Sequence, residues 1–329
     1  MNKYLLIGGT GVMGHYVARQ LVEMGNIPVV MTVSGNTTFI SDIINEIELI
    51  KGDIANYENL KNVVSKYAIT HIVHLGAILD TEADQNPRRA IHTGVEGMIN
   101  VMEAARSQNV QRVVFTSSKG IYGRIQGEYW HPKYKPVPES YPTDANALNM
   151  YGIVKLAAEN LGLWYQRQFG IEFIALRFAS TVGPGKLIRH GLFVHHSNMI
   201  ENAMANKPTH IPMGADAVHD PIYNADSARG IISALTVPKP NSSVFNIGPG
   251  YGITLQEFAD AVVQVHPTAD IIIGPGHSYT PSKVPPVNYI LDTSKARNEL
   301  YFETTYNTID MIKDYELTME KLGIKPTIN

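Results

Sequence analysis

The segment Gly8-Gly9-Thr10-Gly11-Val12-Met13-Gly14 limits this chain's folding options more than any other. A short apolar run from Tyr4 to Ile7 leads into it, and an amphipathic stretch, Val12–Met24, leads out. It satisfies G-x-G-x-x-G through Gly9, Gly11 and Gly14, and G-x-x-G-x-x-G through Gly8, Gly11 and Gly14. Missing side chains permit a tight turn, bring backbone N–H groups close to a pyrophosphate and let a helix pack closely on a strand. A helix opening there adds the positive end of its dipole. The bland alternative is a glycine-rich turn with no ligand, and alone the motif would be weak. A strand before it and a helix after it are what the mechanism requires, so dinucleotide binding is the expectation.

The strand–helix alternation continues through the first half, as βα units demand. Strand candidates are Lys3–Gly8, Pro28–Val33, Ile47–Ile50, His71–Leu75, Arg112–Thr116 and Glu172–Arg177, with amphipathic stretches at Leu60–Lys66 and Arg89–Arg106. Continuously apolar strands such as Val113-Val114-Phe115 suit a parallel sheet covered on both faces. Met150, Val154, Ala157, Leu161 and Trp164 recur at helical spacing, which predicts a helix from Met150 to about Gln168. After Gly183-Pro184-Gly185 the pattern turns irregular, and Pro208–Gly214, Pro238–Ser242 and Gly274–Pro286 read as connecting loops. The fold class expected is α/β: a Rossmann-type doubly wound parallel sheet with a smaller C-terminal substrate-binding lobe. The NAD(P)-binding domain is expected over residues 1–178. Residues 179–329 mainly supply the lobe, with some segments returning to the sheet.

Composition narrows the partners. At 44% hydrophobic and 17% charged, the 329 residues form a globular rather than a disordered chain. Lys plus Arg number 27 against 30 for Asp plus Glu, a balance with no general attraction to nucleic acid or anionic membrane. No apolar run approaches the ~18 residues of a membrane span, and the run before the glycine cluster is too short for a signal-peptide core. Zero cysteines remove disulfides, thiolate metal sites and a cysteine nucleophile. The 12 histidines, His190, His195 and His196 among them, show no metal-ligand spacing, so no metal is expected. A cytoplasmic protein with a small-molecule substrate remains.

An acid about 20 residues beyond such a glycine loop normally binds the adenosine ribose 2′-OH. Ser34 stands there, and no Asp, Glu, Lys or Arg lies between Asn26 and Ser41. Ser34, Asn36 and Thr37 could hydrogen-bond either ribose form; NAD is the expected cofactor, with NADP left open.

Tyr-x-x-x-Lys is the second pattern with chemical meaning, because residues four apart on a helix share a face and bring an ammonium beside a phenol. A free phenol titrates near 10, and bringing it towards 7 takes about 4 kcal/mol of preferential phenolate stabilisation. A neighbouring ammonium and an oxidised nicotinamide are cationic sources of it. Four copies occur: Tyr57/Lys61, Tyr129/Lys133, Tyr151/Lys155 and Tyr279/Lys283. Tyr57 lies in a polar, acidic helix start, where a solvated face is the simpler reading. Prolines within or beside the Tyr129 and Tyr279 copies break the helical geometry. Only Tyr151 opens a long amphipathic helix. The strand ahead of it ends in Thr116-Ser117-Ser118, at the carboxyl edge where open α/β sheets bind ligands.

These motifs, with Lys119-Gly120-Ile121-Tyr122-Gly123 after the serines, resemble the extended short-chain dehydrogenase/reductase family, the NAD-dependent epimerase/dehydratase group. The likeness runs in order through Lys51-Gly52-Asp53-Ile54, His74-Leu75-Gly76-Ala77, Leu176-Arg177, Gly183-Pro184, His219-Asp220-Pro221-Ile222-Tyr223 and Asp292-Thr293-Ser294-Lys295-Ala296, nearly the whole chain. It implies that Ser118 orients the substrate oxygen, that Tyr151 transfers the proton, and that Lys155 binds the nicotinamide ribose and lowers the tyrosine pKa. It also implies that Asp53 and Ile54 contact the adenine. Leu75, Gly76 and Ala77 would line the phosphate and ribose path, with Thr116 and the loop residues Gly8, Gly11, Val12, Met13 and Gly14. A homodimer through the Arg89–Arg106 and Met150–Gln168 helices is implied likewise.

Three departures shape the expected activity. Dehydratases of the group carry Asp-Glu after the catalytic Ser or Thr; Lys119 and Gly120 stand there, which argues against dehydration. UDP-sugar epimerases of the group usually carry an Asn after the Leu-Arg strand and two later arginines, where this chain has Ser180, His219 and Ser282-Lys283. An arginine grips phosphate with a bidentate fork that His or Lys does not reproduce. The expectation is an NAD(P)-dependent oxidoreductase moving hydride between nicotinamide and a secondary alcohol or ketone of a small polar substrate (a sugar, sugar acid or hydroxy acid). Lys119, Ser180 and His219 are the expected substrate contacts, with Lys119, Arg124 or Arg189 available to a carboxylate. A nucleotide-sugar epimerase is the alternative. A non-catalytic dinucleotide sensor is more remote, since it needs no Ser118, Tyr151 and Lys155 together. The loop Tyr129-Trp130-His131-Pro132-Lys133-Tyr134 could cover the substrate or pack on the lobe.

Overall fold

The computed structural model describes residues 2–143, 149–189, 194–279 and 288–327. β1 (Tyr4–Ile7) runs into the glycine loop and α1 (Gly14–Glu23) leaves it. β2 (Val29–Thr32), β3 (Glu48–Lys51), α2 (Tyr57–Lys66) and β4 (His71–His74) follow. Next come α3 (Asp80–Gln85), α4 (Pro87–Ile91), α5 (Gly97–Ser107), β5 (Arg112–Ser118), α6 (Met150–Phe169) and β6 (Glu172–Phe178). The single helix expected over Arg89–Arg106 is instead α4 and α5 joined by a wide turn at His92–Glu96. Such turns change a helix's register locally. Here the backbone presses close on α6: a Cβ on Gly94 would stand 2.1 Å from Val154 Cγ1.

Beyond β6 lie β7 (Ser180–Val182), α7 (Lys186–Arg189), α8 (His195–Met204), β8 (Thr209–Ile211), β9 (Val218–His219), β10 (Pro221–Tyr223), α9 (Asn224–Thr236) and β11 (Val244–Ile247). β12 (Ile253–Thr254), α10 (Leu255–Val265), β13 (Ile271–Ile273), α11 (Ser294–Leu300) and α12 (Thr308–Lys321) complete the described chain. Seven strands form one parallel sheet in the order β11-β6-β5-β4-β1-β2-β3. The seventh, β11, comes from the irregular half and pairs with β6, Phe245 opposite Leu176. β7 and β10, β9 and β12, and β8 and β13 pair separately beyond the carboxyl end of β6.

Strand side chains alternate between the faces, so one strand serves two cores. Leu6, Val30, Val73, Val114 and Ile174 pack with α1, α9, α10 and α12. Leu5, Met31, Ile72, Val113, Phe115 and Phe173 pack with α2, α5 and α6. That two-sided burial explains why these strands are apolar throughout. No helix among the described residues is long and apolar enough to cross a membrane.

Candidate active site

The chain reverses direction across the sheet between β1 and β4, which pair with each other while their crossover helices lie on opposite faces. Ligands of doubly wound sheets bind at that switch point. A cavity of about 310 Å³ opens there, and Gly8, Gly11, Val12, Met13 and Gly14 form one end of it. Two close approaches demand the glycines. At Gly14 a Cβ would lie 2.5 Å from the Gly8 carbonyl oxygen, so helix and loop meet backbone to backbone. At Gly8 the backbone sits at φ +81°, and a Cβ would lie 3.2 Å from the Gly76 nitrogen, across the switch point. Leu75, Gly76 and Ala77 continue the wall from the end of β4.

The opposite wall is built by β5 and α6. Asn149 caps α6 by accepting the Gly152 N–H at 3.0 Å, and Asp84 accepts the Met150 N–H at 2.8 Å. These contacts fix the first turn, which carries Tyr151, half-buried in the cavity wall. One turn on, Lys155 is buried and donates from Nζ to the Thr116 carbonyl at 2.5 Å. Its ammonium lies 5.6 Å from the Tyr151 ring centre and 4.7 Å from that of Phe115. Burial lowers its pKa to about 7. The neighbouring serines both line the cavity but bond differently: Ser117 donates to Glu159 at 2.7 Å, while Ser118 accepts the Gly120 N–H at 3.1 Å. Glu159, one turn beyond Lys155, is also held by Arg177, Nη2 to Oε1 at 2.6 Å. Arg177 donates in turn to the Tyr122 hydroxyl at 2.8 Å, and Tyr122 donates to Asn246 of β11 at 2.7 Å. This buried network braces β5, α6, β6 and β11 behind the cavity.

Of the residues expected at the cofactor, the glycine loop, Leu75, Gly76, Ala77, Thr116, Tyr151 and Lys155 line this one cavity. Ser34 and Asp53 are exposed, two residues beyond β2 and β3, and do not line it; neither does Ile54, which is buried under Gly97. Of the three expected substrate contacts, Ser180 and Lys119 line the cavity and His219 does not.

Two of these expectations need correction. The Lys119 ammonium does not stand available to a substrate carboxylate: it pairs with buried Asp220 at 2.6 Å and donates to the Tyr289 carbonyl at 3.3 Å. His219 is fully buried, its Nδ1 donating to the Ala217 carbonyl at 3.2 Å and its Nε2 against Nε2 of His196. Burial first, with the Lys119 and Lys186 ammonium groups adding to it, lowers the His219 pKa to about 3. The ring is neutral and cannot replace a phosphate-gripping arginine.

Arg124 is exposed, and the Arg189 side chain, His190 and Ser282-Lys283 lie outside the described residues. The aromatic loop packs on the lobe: Tyr129 and Trp130 join the core, and His131 stacks on His277 at 3.7 Å. Among the described residues no three His, Asp or Glu side chains gather as metal ligands. Asn149, Thr181 and Lys186 also line the cavity and were not singled out from the sequence. Asn149 was open to discovery as an Asn just ahead of the predicted helix. Lys186 carried no local signal beyond following Gly183-Pro184-Gly185.

Residues 4–248 match the sequence model of a family described as the NAD dependent epimerase/dehydratase family. The chain belongs to that family. It is thereby an NAD-dependent enzyme of the extended short-chain dehydrogenase/reductase type. Among curated relatives, a UDP-glucose 4-epimerase of Lacticaseibacillus casei is 28% identical over 327 residues, 93% of this chain and 93% of that one. Among solved structures, a UDP-glucose 4-epimerase of Thermotoga maritima superposes with a TM-score of 0.81 at 22% identity, covering 97% of this chain and 99% of the other. An L-threonine dehydrogenase of Clostridium difficile gives 0.82 at 21% identity, covering 98% and 99%. At these identities the two structures speak to the fold.

Proposed function

We propose that this family member moves hydride between NAD and a secondary alcohol or ketone of a small polar substrate, a sugar, sugar acid or hydroxy acid. One observation carries the reading: Ser118, Tyr151 and Lys155 line the same cavity as the glycine loop. The residues fit the cofactor, because the loop's close-packed glycines leave its backbone bare towards the cavity. Backbone N–H groups at Val12 and Met13, in the cavity wall, would hold the diphosphate, Leu75 to Ala77 and Thr116 would line the phosphate and ribose path, and Ser34, Asp53 and Ile54 would hold the adenosine. Bound NAD supplies the hydride acceptor in oxidation and the donor in reduction.

The remaining chemistry belongs to the side chains. In oxidation, Tyr151 as phenolate takes the proton of the substrate hydroxyl. Ser118 holds that same oxygen. The Lys155 ammonium, anchored on the Thr116 carbonyl, places positive charge beside the Tyr151 ring and stabilises its anionic oxygen. It would also bind the nicotinamide ribose. In reduction each proton runs backwards along the same path.

The loss of the epimerases' Asn at Ser180 and of their Arg at His219, with His219 neutral and buried, supports a substrate smaller than a diphosphate sugar. A nucleotide-sugar epimerase is the second reading, supported by the curated relatives' names. The enzyme would work in the cytoplasm as a homodimer. Ile153 and Trp164, each 44% exposed along α6, supply apolar surface for the dimer contact.

The first test is to denature the purified protein and quantify the nicotinamide nucleotide it releases by chromatography. Little retained nucleotide, with NADH formed from small hydroxy substrates and lost in Tyr151→Phe, supports the proposal. Near-stoichiometric NAD together with interconversion of UDP-galactose and UDP-glucose overturns it in favour of the epimerase.

A further inference from the structure

We infer that Lys186 is a cofactor-anchoring cation, its ammonium adding positive charge beside the glycine loop to meet the negative charge of the dinucleotide diphosphate. The inference rests on NAD occupying this cavity. The loop from Gly8 to Gly14 contains no Lys or Arg, so its own electrostatic help is backbone N–H groups and the dipole of α1. A helix dipole is worth about half a positive charge, whereas a diphosphate diester carries two negative ones. A fixed cation nearby would close that gap.

Lys186 is delivered to the place by two contacts that only glycine permits. At Gly183 a Cβ would stand 2.3 Å from Asn224 Nδ2, and that same amide donates to the carbonyl of Val12, inside the glycine loop, at 2.9 Å. At Gly185, with φ +81°, a Cβ would stand 2.2 Å from Phe39 Cζ, and Phe39 stacks on His15 of α1 at 5.1 Å. The segment after β7 therefore leans on the glycine loop and on the first turn of the helix it opens. Lys186, the next residue, is 4% exposed and shares the cavity wall with Gly11, Val12 and Met13. Its Nζ donates to the Thr181 carbonyl, a neutral acceptor that helps orient the ammonium.

Of the other two lysines of the wall, Lys155 lies beside Tyr151 and Lys119 pairs with Asp220. Among the described lining residues none is acidic. A diphosphate entering this wall meets a partly desolvated ammonium, where a charge-assisted hydrogen bond is stronger than in water.

The test is equilibrium binding of NAD, ADP-ribose and adenosine to the full chain by calorimetry, for wild type, Lys186→Met, Lys186→Gln and Lys186→Arg. Both neutral variants should bind NAD and ADP-ribose about tenfold to a hundredfold more weakly. Adenosine, which lacks the diphosphate, should bind all four proteins alike. Lys186→Arg should recover most of the affinity, and the salt dependence of NAD binding should flatten in Met and Gln. Lys186→Gln can still donate to Thr181, so it serves if Lys186→Met fails to fold. Wild-type NAD affinity in a folded neutral variant overturns the assignment, as does an equal loss for adenosine. Failure of the wild type itself to bind NAD would instead tell against the cofactor reading.

Discussion

Replacing Lys155 by Met isolates the cost of burying an ammonium in the NAD-free protein. Burial lowers the lysine pKa from 10.5 to about 7. The unfolded chain keeps its proton up to the ordinary lysine value, so between those two pH values the native state binds fewer protons. Stability must then rise with pH across the window. Integrating the linkage relation for a single site from about pH 6 to about pH 9 gives a gain of about 3 kcal/mol. Below pH 7 the lysine is charged in both states and the folded protein bears the whole penalty. Met removes the titration but leaves the Thr116 carbonyl without its donor, a constant cost of about 1–3 kcal/mol. Urea unfolding of both proteins across this range, without NAD, separates the two effects: the offset reports the lost hydrogen bond and the slope reports the charge. Wild type should gain on Lys155→Met by about 3 kcal/mol as pH rises. A stability difference that stays flat with pH would refute the reasoning, because it would mean that the ammonium remains solvated.

Three other outcomes follow from the packing. Gly14→Ala forces a Cβ against the Gly8 and Gly9 backbone and should lower stability by about 1–3 kcal/mol. It should also abolish NAD binding at concentrations that saturate wild type, and unchanged affinity in calorimetry would show that the loop can give way. Arg177→Met strands buried Glu159 and should cost about 3–5 kcal/mol in chemical unfolding; adding Glu159→Gln should restore a large part, and a double variant no better than the single would contradict the network. Trp164→Glu should turn the dimer proposed through α6 into monomers in analytical ultracentrifugation, and a monomeric wild type would dispose of that interface.

Much of the fold was legible because it is written in short-range patterns. The six strands of the first half lie within a residue or two of where their apolar runs placed them. α6 likewise begins at Met150 and ends at Gly170, which takes the left-handed conformation that closes a helix. The wide turn between α4 and α5 was not legible, because the pressure on Gly94 comes from Val154, far along the chain. The seventh strand was hidden for a related reason: four residues, Val244–Ile247, carry too little pattern to announce a place beside β6.

The candidate site divides along the same line. The sequence by itself determined the glycine loop, the serine pair at the end of β5 and the Tyr151–Lys155 pair. Each depends on neighbours within a turn or two of backbone, where spacing dictates geometry. Only the tertiary structure decided the charges around them. Lys119 read as a cation open to substrate until folding brought Asp220, 101 residues away, to 2.6 Å. His219 reads as a substrate contact in the sequence, yet the lobe buries it against His196. Lys186 carries no signal in its own stretch of sequence, and two glycine contacts made by the fold set it beside the loop. Backbone conformation answers to local sterics, whereas the state of an ionisable group answers to every dipole and charge within several ångströms, and those neighbours are chosen by the fold.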